Sequence, residues 1–547
     1  MAYVYMKVLE ETPDEYESGI VKLTAGKITE VYEKILEHVN EGSHVLDLGC
    51  GPGTLAVLCA KKGAHVVAID FSEEMITFAN EKGQQEEVSE NLTFLQRDIT
   101  QLDTLLPERK FDLIVSTLAL SELRHLEQQI VFDQCWELLT KEGKIAFADE
   151  VKPHGWGINR LIYSIKRIFY SVATYWKTKK TSRALKRFQQ RLEGSGFNIL
   201  QIERFVRDTF ELIVAQKQPN KPPPNVLSDQ KLRGIRGQFR NISCILRAGS
   251  ALIAIEPGLY IYGNPSDESP VLVTANYQRT VKLVGRALKN QDAYLLVADT
   301  MGENVWCSAR GDKFGLREVA EVIKATRIEE QVQHKKLIFP QLAAGGIDHR
   351  EVKATTGWSC RFGPIYAKDI PLYLASGKKT EKQRTVSFKT SERLEMALQQ
   401  SYFLSKFFFF WFFLIGIIGI NILPQVPLFS IAILLFPMIW LVYLFFALIF
   451  PLFPTQSFLR RGIYYGGLLT IIFFGIGNIL EYSLIGMSQW AVIGFAIGMF
   501  LGMDYSGATP ISKPTEIDEE YPSMIILLGI CLILLLMLTI IGLILGG

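Results

Sequence analysis

Beyond Lys406 the chain changes character, and that change limits its fold more than any other feature. Five apolar stretches follow one another at about 406–423, 427–450, 462–480, 484–503 and 523–545. Each is close to the roughly 20 residues that an α-helix needs to cross a bilayer. Buried core helices are the alternative, but the length of the apolar region argues against it. The acid expected nearest to these spans is Glu481, at a short outer turn. With no ladder of buried charge, an ion pump or carrier is disfavoured. Lys378, Lys379, Lys382, Arg384, Lys389, Arg393 and Lys406 precede the first stretch, and Arg460 and Arg461 lie between the second and third. The connection between the first two stretches has neither Lys nor Arg. The positive-inside rule then predicts an inner (cytoplasmic) membrane protein, multi-pass, with its soluble part in the cytosol and its C-terminus outside.

The remaining length exceeds a single core, so the 547 residues divide into three domains. Residues 1–217 read as an α/β domain, 218–225 as a Pro-rich extended linker, 226–400 as a second α/β domain, and 406–547 as a transmembrane domain of five helices. The net charge of +2 gives no footprint for nucleic acid. Seven cysteines stand at 50, 59, 135, 244, 307, 360 and 531, with no Cys-x-x-Cys pair. Neither a zinc ribbon nor an iron–sulfur cluster is predicted, and reduced thiols in a cytosolic compartment are. The first residues are charged and polar, with no signal-peptide core.

In the first domain, His44-Val45-Leu46-Asp47-Leu48-Gly49-Cys50-Gly51-Pro52-Gly53-Thr54 joins a predicted strand to a helix. Its glycines let the backbone approach a ligand, and the helix N-terminus adds a favourable dipole. A second strand, His65–Ile69, ends at Asp70, where a carboxylate can accept both hydroxyls of a ribose. A third, Leu92–Gln96, leads to Asp98 and Ile99, and a fourth is Phe111–Ser116. An NAD-binding Rossmann domain is the alternative, but the Asp-x-Gly-x-Gly-x-Gly order differs from the dinucleotide loop. The set resembles the class I S-adenosylmethionine-dependent methyltransferases over about residues 20–217. The resemblance implies a Rossmann-like fold in which Asp47 belongs to the binding loop and Gly49, Gly51 and Gly53 line the methionine moiety. It also implies that Asp70 holds the ribose, and Asp98 and Ile99 the adenine.

No catalytic base stands out. Asp149 and Glu150 end the predicted strand Lys144–Ala148, where either acceptor binding or plain solvation would explain them. Residues 159–191 interleave ten Lys or Arg with Tyr163, Phe169, Tyr170, Tyr175 and Trp176. That pattern suits a basic helix on anionic lipid, or a substrate lid with a solvated face.

The second domain offers predicted strands at Ala251–Ile255, Val271–Thr274, Ala293–Ala298 and Leu337–Phe339, and a helix from Leu316. Between the last two strands lies Asn304-Val305-Trp306-Cys307-Ser308-Ala309-Arg310-Gly311. A lone thiol after a buried strand faces solvent or a ligand, unless it is a small core residue. Val271–Tyr277, Asp299-Thr300, Phe339–Gly346, Phe362–Pro371 and Met503–Pro510 complete an ordered series of motifs. The series, over about 250–547, resembles the corrinoid protein of bacterial mercury methylation. It is also similar to the corrinoid-binding domain in the large subunit of the acetyl-CoA-pathway corrinoid iron–sulfur protein. The first domain is similar to the methyltransferases associated with corrinoid proteins. The resemblance implies a corrinoid (cobalamin-type) cofactor with Asn304, Trp306 and Cys307 in a cap beneath the ring. Cys307 would be the lower axial ligand of cobalt. Where the family ends the cap in Gly-Lys, this chain has Arg310-Gly311.

The implied activity is a membrane-anchored, corrinoid-dependent methyltransferase that uses S-adenosylmethionine and passes a methyl group to a small molecule or a metal or metalloid ion. The implied partners are membrane lipid and a two-cluster ferredoxin-type reductant, since the chain carries no cluster of its own. A non-catalytic corrinoid carrier, and a lipid or quinone methyltransferase with a membrane anchor, are the alternatives.

Overall fold

The fold is known from a computed structural model that describes residues 13–545 except 107–108, 154–161, 169, 172–173, 175–183, 230–253, 403, 406–427 and 509–513. The first predicted span therefore lies outside the described residues, as does most of the predicted strand at Ala251–Ile255. At its described end, Ala254 makes only an isolated bridge to Tyr277.

Two helices, α1 (Pro13–Leu23) and α2 (Lys27–Leu36), precede a seven-stranded sheet. Its strands and helices are β1 (His44–Leu48), α3 (Thr54–Lys61), β2 (His65–Asp70), α4 (Glu73–Gln85), β3 (Leu92–Gln96), β4 (Phe111–Thr117), α5 (His125–Leu138), β5 (Leu139–Glu150), α6 (Phe188–Gly194), β6 (Phe197–Phe205) and β7 (Phe210–Lys217). The order is β3-β2-β1-β4-β5-β7-β6, parallel from β3 to β5, with β7 antiparallel to β5 and β6. Both faces of β1 and β4 are covered by apolar residues, as a parallel sheet requires. The order reverses between β1 and β4, and the crevice outside their carboxyl ends is the expected ligand position in such a sheet.

Residues 218–225 bond to both α/β units. Lys221 pairs with Glu137 of α5 at 2.9 Å, and the Pro222 carbonyl accepts from Arg327 at 3.0 Å. The chain then forms β8 (Val226–Leu227), β9 (Gly258–Tyr262), β10 (Val271–Ala275), α7 (Gln278–Ala287), β11 (Ala293–Ala298), α8 (Val305–Arg310), α9 (Leu316–Thr326), β12 (Lys336–Phe339), α10 (His349–Thr356), β13 (Ser359–Phe362) and α11 (Ile370–Ser376). This second sheet runs β13-β12-β10-β11-β9-β8. Strands β10 to β13 are parallel and β9 is antiparallel to β11. Its order reverses between β10 and β12.

The two α/β units share a packed interface. Leu126 and Ile130 of α5 belong to the core of the second unit, alongside Val319 and Val322 of α9. Around them Arg124 pairs with Glu318 at 3.0 Å and also with Glu321, and Arg317 pairs with Glu127. These carboxylates are nearly buried, so each needs its cation to remain where it is.

Four apolar helices follow: α12 (Leu428–Ile449), α13 (Phe458–Ile479), α14 (Leu484–Ala508) and α15 (Pro514–Leu545). Among the described residues three are long and apolar enough to cross a membrane: Phe458–Ile479, Leu484–Ser506 and Glu519–Leu545. Glu481 sits in the turn between α13 and α14. Glycines let α13 and α14 touch backbone to backbone: a Cβ on Gly498 would lie 2.2 Å from Gly466. Arg393, in the helical residues 390–402, donates to the Ala447 carbonyl of α12 at 2.9 Å. Glu395 on the same segment pairs with Arg279 of α7. The second sheet is thereby tied to the apolar helices.

Candidate functional site

The first site forms where β1 ends. Gly49, Gly51 and Gly53 all adopt positive φ (68°, 52° and 75°). A Cβ on Gly49 would lie 2.3 Å from that of Ala119, and one on Gly53 would lie 2.8 Å from that of Ala79. At Gly49 and Gly53 a side chain would displace these neighbours, and at Gly51 the positive φ alone disfavours one. Asp70, at the end of β2, accepts from Gly51 N at 2.8 Å and Ser72 N at 2.9 Å, which orients its carboxylate against the loop. Asp98 follows β3, and its Oδ1 accepts both Thr100 N and Thr100 Oγ1 at 2.8 Å. Ile99 beside it is buried. A cavity of about 230 Å³ opens beyond the carboxyl ends of β1 and β4, lined by Gly49, Gly51, Thr117 and Leu118 and roofed by Tyr16 and Ile20 of α1, whereas Gly53, Asp70, Asp98 and Ile99 do not line it. Glu17 on α1 also bonds Thr54 and Lys82, which fastens the roof to α3 and α4.

Asp47 lies beneath this loop, fully buried, and neither carboxylate oxygen has a hydrogen-bond partner among the described residues. Burial, aided by the nearby charge of Asp70, pushes its carboxyl up to about 7. An orphaned buried carboxylate beside a cavity fits a cationic ligand group.

Asp149 and Glu150 are not solvated, which rules out that reading of the strand end. Both are fully buried. Asp149 accepts from Ser121 N at 2.9 Å, and burial raises its carboxyl to about 7. Glu150 accepts from Tyr163 at 2.6 Å and from Arg167, while its Oε2 is buried without a partner among the described residues. Leu118 of the cavity bonds the Ala148 carbonyl, so Glu150 stands just beyond the cavity along the same strand. Nor is the basic run 159–191 simply a solvated face. Arg167 reaches Glu150, Arg187 reaches Glu256 at 3.0 Å, and Arg191 bonds the His125 carbonyl and Gln128.

The second site lies at the reversal between β10 and β12. A cavity of about 320 Å³ is lined by Thr274 of β10, Phe339 of β12, Leu342, Tyr373, and Asn304 and Trp306 at the start of α8. Its lining is largely apolar, and the Thr274 hydroxyl is buried without a partner among the described residues. Asn304 caps α8. Its Oδ1 accepts from Cys307 N at 2.9 Å, and its Nδ2 donates to Cys307 Sγ at 3.3 Å. Cys307 is half-buried and stands one residue beyond the lining. Burial pushes its thiol up, partly offset by the Asn304 hydrogen bond. Arg310 stacks on the Trp306 ring at 5.0 Å, and Lys313 is held by Glu303.

The loop that delivers α8 is organised by Asn276, whose role the sequence does not show by itself. Its Nδ2 donates to Asp299 at 2.9 Å, and its Oδ1 accepts from Thr300 N, Thr300 Oγ1 and Gly302 N. The signal was the position of Asn276, Asp299 and Thr300 directly after two buried strands, where polar side chains must satisfy one another.

Comparison with known proteins divides the chain in the same way. Residues 39–193 match the family described as a methyltransferase domain. Residues 244–374 match the CO dehydrogenase/acetyl-CoA synthase delta subunit family. Subunit gamma of the acetyl-CoA decarbonylase/synthase complex of Methanothermobacter thermautotrophicus is 42% identical over 123 residues, 22% of this chain and 26% of that protein. The chain thus spans about a quarter of the length of that relative. The ubiquinone biosynthesis O-methyltransferase of Coxiella burnetii (strain Dugway 5J108-111) is 32% identical over 109 residues, 20% of this chain and 44% of that protein. Among solved structures, an S-adenosylmethionine-dependent methyltransferase from Mesorhizobium loti is 25% identical at a TM-score of 0.27, covering 34% of this chain and 96% of that one. The first α/β unit is a methyltransferase domain of the Rossmann-like class I fold, and it is fused to a second α/β unit related to acetyl-CoA synthase-type subunits.

Proposed function

We propose that the protein is a membrane-anchored, corrinoid-dependent methyltransferase. S-adenosylmethionine binds at the β1–β4 crevice, with Asp47, Gly49, Gly51 and Gly53 about its methionine end. Asp70 takes the ribose, and Asp98 and Ile99 the adenine. The observation that carries the reading is the second cavity. It lies at the β10–β12 reversal, inside the segment that matches the acetyl-CoA synthase-type family.

The residues there suit part of a cobalamin-type cofactor. At about 320 Å³ the cavity is at the low end of small-molecule sites, which span roughly 300–1,000 Å³, so it takes a portion of the group. Thr274 supplies an unsatisfied hydroxyl, and Trp306, Leu342 and Tyr373 supply apolar surface. When bound, such a cofactor supplies a cobalt centre able to accept and release a methyl group. Cys307, one residue beyond the lining, would be the residue to hold the cobalt. Its raised thiol must give up a proton to ligate, and the Asn304 amide is placed to stabilise the sulfur once it has. A two-cluster ferredoxin-type protein serves as reductant. The final acceptor is a small molecule or a metal or metalloid ion.

The test uses the full chain in detergent, reduced in the presence of cobalamin and given methyl-labelled S-adenosylmethionine. Label recovered on the corrinoid supports transfer between the two domains. Label absent from the corrinoid, with S-adenosylmethionine binding intact and lost in D70A, defeats direct charging.

A further inference from the structure

We propose that residues 162–168 lie in the lipid–water boundary of an anionic bilayer. These residues are helical, and their two faces differ in kind. Tyr163 and Arg167, four apart, point inward and bond the buried Glu150. At about 100° per residue, Ile162, Ile165 and Ile168 fall on the opposite face. They are 38%, 59% and 66% exposed. A lid that only closes over a substrate needs apolar groups on its inner face. Here the inner face is polar and the apolar stripe points away from the protein.

Charge selects the occupant. From Val151 to Leu192 the chain has no Asp or Glu, while it has eleven Lys or Arg. Among the described residues, Arg167, Arg187 and Arg191 bond groups within the protein. Lys166, beside the stripe, is exposed. An outward apolar stripe in an acid-free, cation-rich run matches an anionic phospholipid surface, where isoleucines enter the acyl boundary and lysines meet headgroups. The same chain supplies the bilayer through α13, α14 and α15. The contact places the Glu150 end of the first domain, where an acceptor would approach, at the lipid boundary.

This inference rests on the membrane reading of those helices, so the experiment separates the two. A benzoylphenylalanine photocrosslinker replaces Ile165 in the full chain, held in nanodiscs of phosphatidylcholine with about one-third phosphatidylserine. Parallel samples carry it at Leu532 of α15, 69% exposed, and at the exposed Glu87. The expected result is lipid adducts at 165 and 532 and none at 87, with the yield at 165 falling severalfold in pure phosphatidylcholine. Adducts at 532 but none at 165, or equal yields at 165 in both lipids, overturn the inference alone. Absence of adducts at 532 overturns the membrane reading beneath it.

Discussion

Asp47 shows how much one buried carboxyl can report. Its folded-state value of about 7 lies above the ordinary 3.8, because burial disfavours the charge. The native protein keeps a proton that the unfolded chain releases above about pH 4. Stability from this group is therefore fully present below pH 4 and is lost as pH rises towards 7. Asp47→Asn should raise the thermal midpoint of the ligand-free protein at pH 8 by a few degrees, at roughly 2–4 °C per kcal/mol, and leave it unchanged at pH 4. The same variant should weaken S-adenosylmethionine binding about tenfold, measured by calorimetry at pH 8. At the other site, burial holds the Cys307 thiol protonated. Its alkylation by iodoacetamide at pH 7.5 should run severalfold slower than that of a free cysteine, and Asn304→Ala should slow it further. The candidate residues were legible because their motif places an acid at each of three strand ends. The burial of Asp149 and Glu150 was not, since nothing near them in sequence reveals that Ser121 meets Asp149 or that Tyr163 and Arg167 meet Glu150.

At the scale of elements, the parallel strands announce themselves as short apolar runs between glycines and acids. β2, β3, β10, β11 and β12 coincide with predicted runs to within a residue or two, β4 and β5 contain theirs, and β1 begins the predicted strand-to-helix junction. The alternation of β6 is broken by a register shift between Ile199 and Gln201, β13 is only four residues long, and β9 is a five-residue run beginning at a glycine, so periodicity alone misses them. The pairing of α5 with α9 is invisible locally, because Arg124 meets Glu318 and Glu321 from the other α/β unit. Arg124→Ala leaves the nearly buried Glu318 without its cation, while Glu321 keeps only Arg317. Hydrogen exchange should speed up in both helices by tens-fold or more, the scale expected from about 3 kcal/mol. Gly498→Leu should separate α13 from α14, since even a Cβ would lie 2.2 Å from Gly466. A cysteine pair bridging the two helices would then fail to crosslink in membranes.

For the whole molecule, the order of the parts matters more than any one of them. A methyltransferase domain packs directly on the second α/β unit, and that unit is clamped to the apolar helices through Arg279–Glu395 and Arg393–Ala447. The sequence predicted this order from composition, since apolarity concentrates after Lys406 and a proline run separates the α/β halves. It predicted a stiff extended linker at 218–225, and there Lys221 and the Pro222 carbonyl also bond the flanking units. The central claim is that the β10–β12 cavity receives a corrinoid while the β1–β4 crevice independently receives S-adenosylmethionine. The direct measurement is visible-absorption titration of the purified full chain with cobalamin, comparing Thr274→Phe, Asp70→Ala and the parent. The account predicts a bound-corrinoid spectrum for the parent and for Asp70→Ala, with loss confined to Thr274→Phe, which retains S-adenosylmethionine binding. Cobalamin binding that survives Thr274→Phe, or never occurs in the parent, would contradict it.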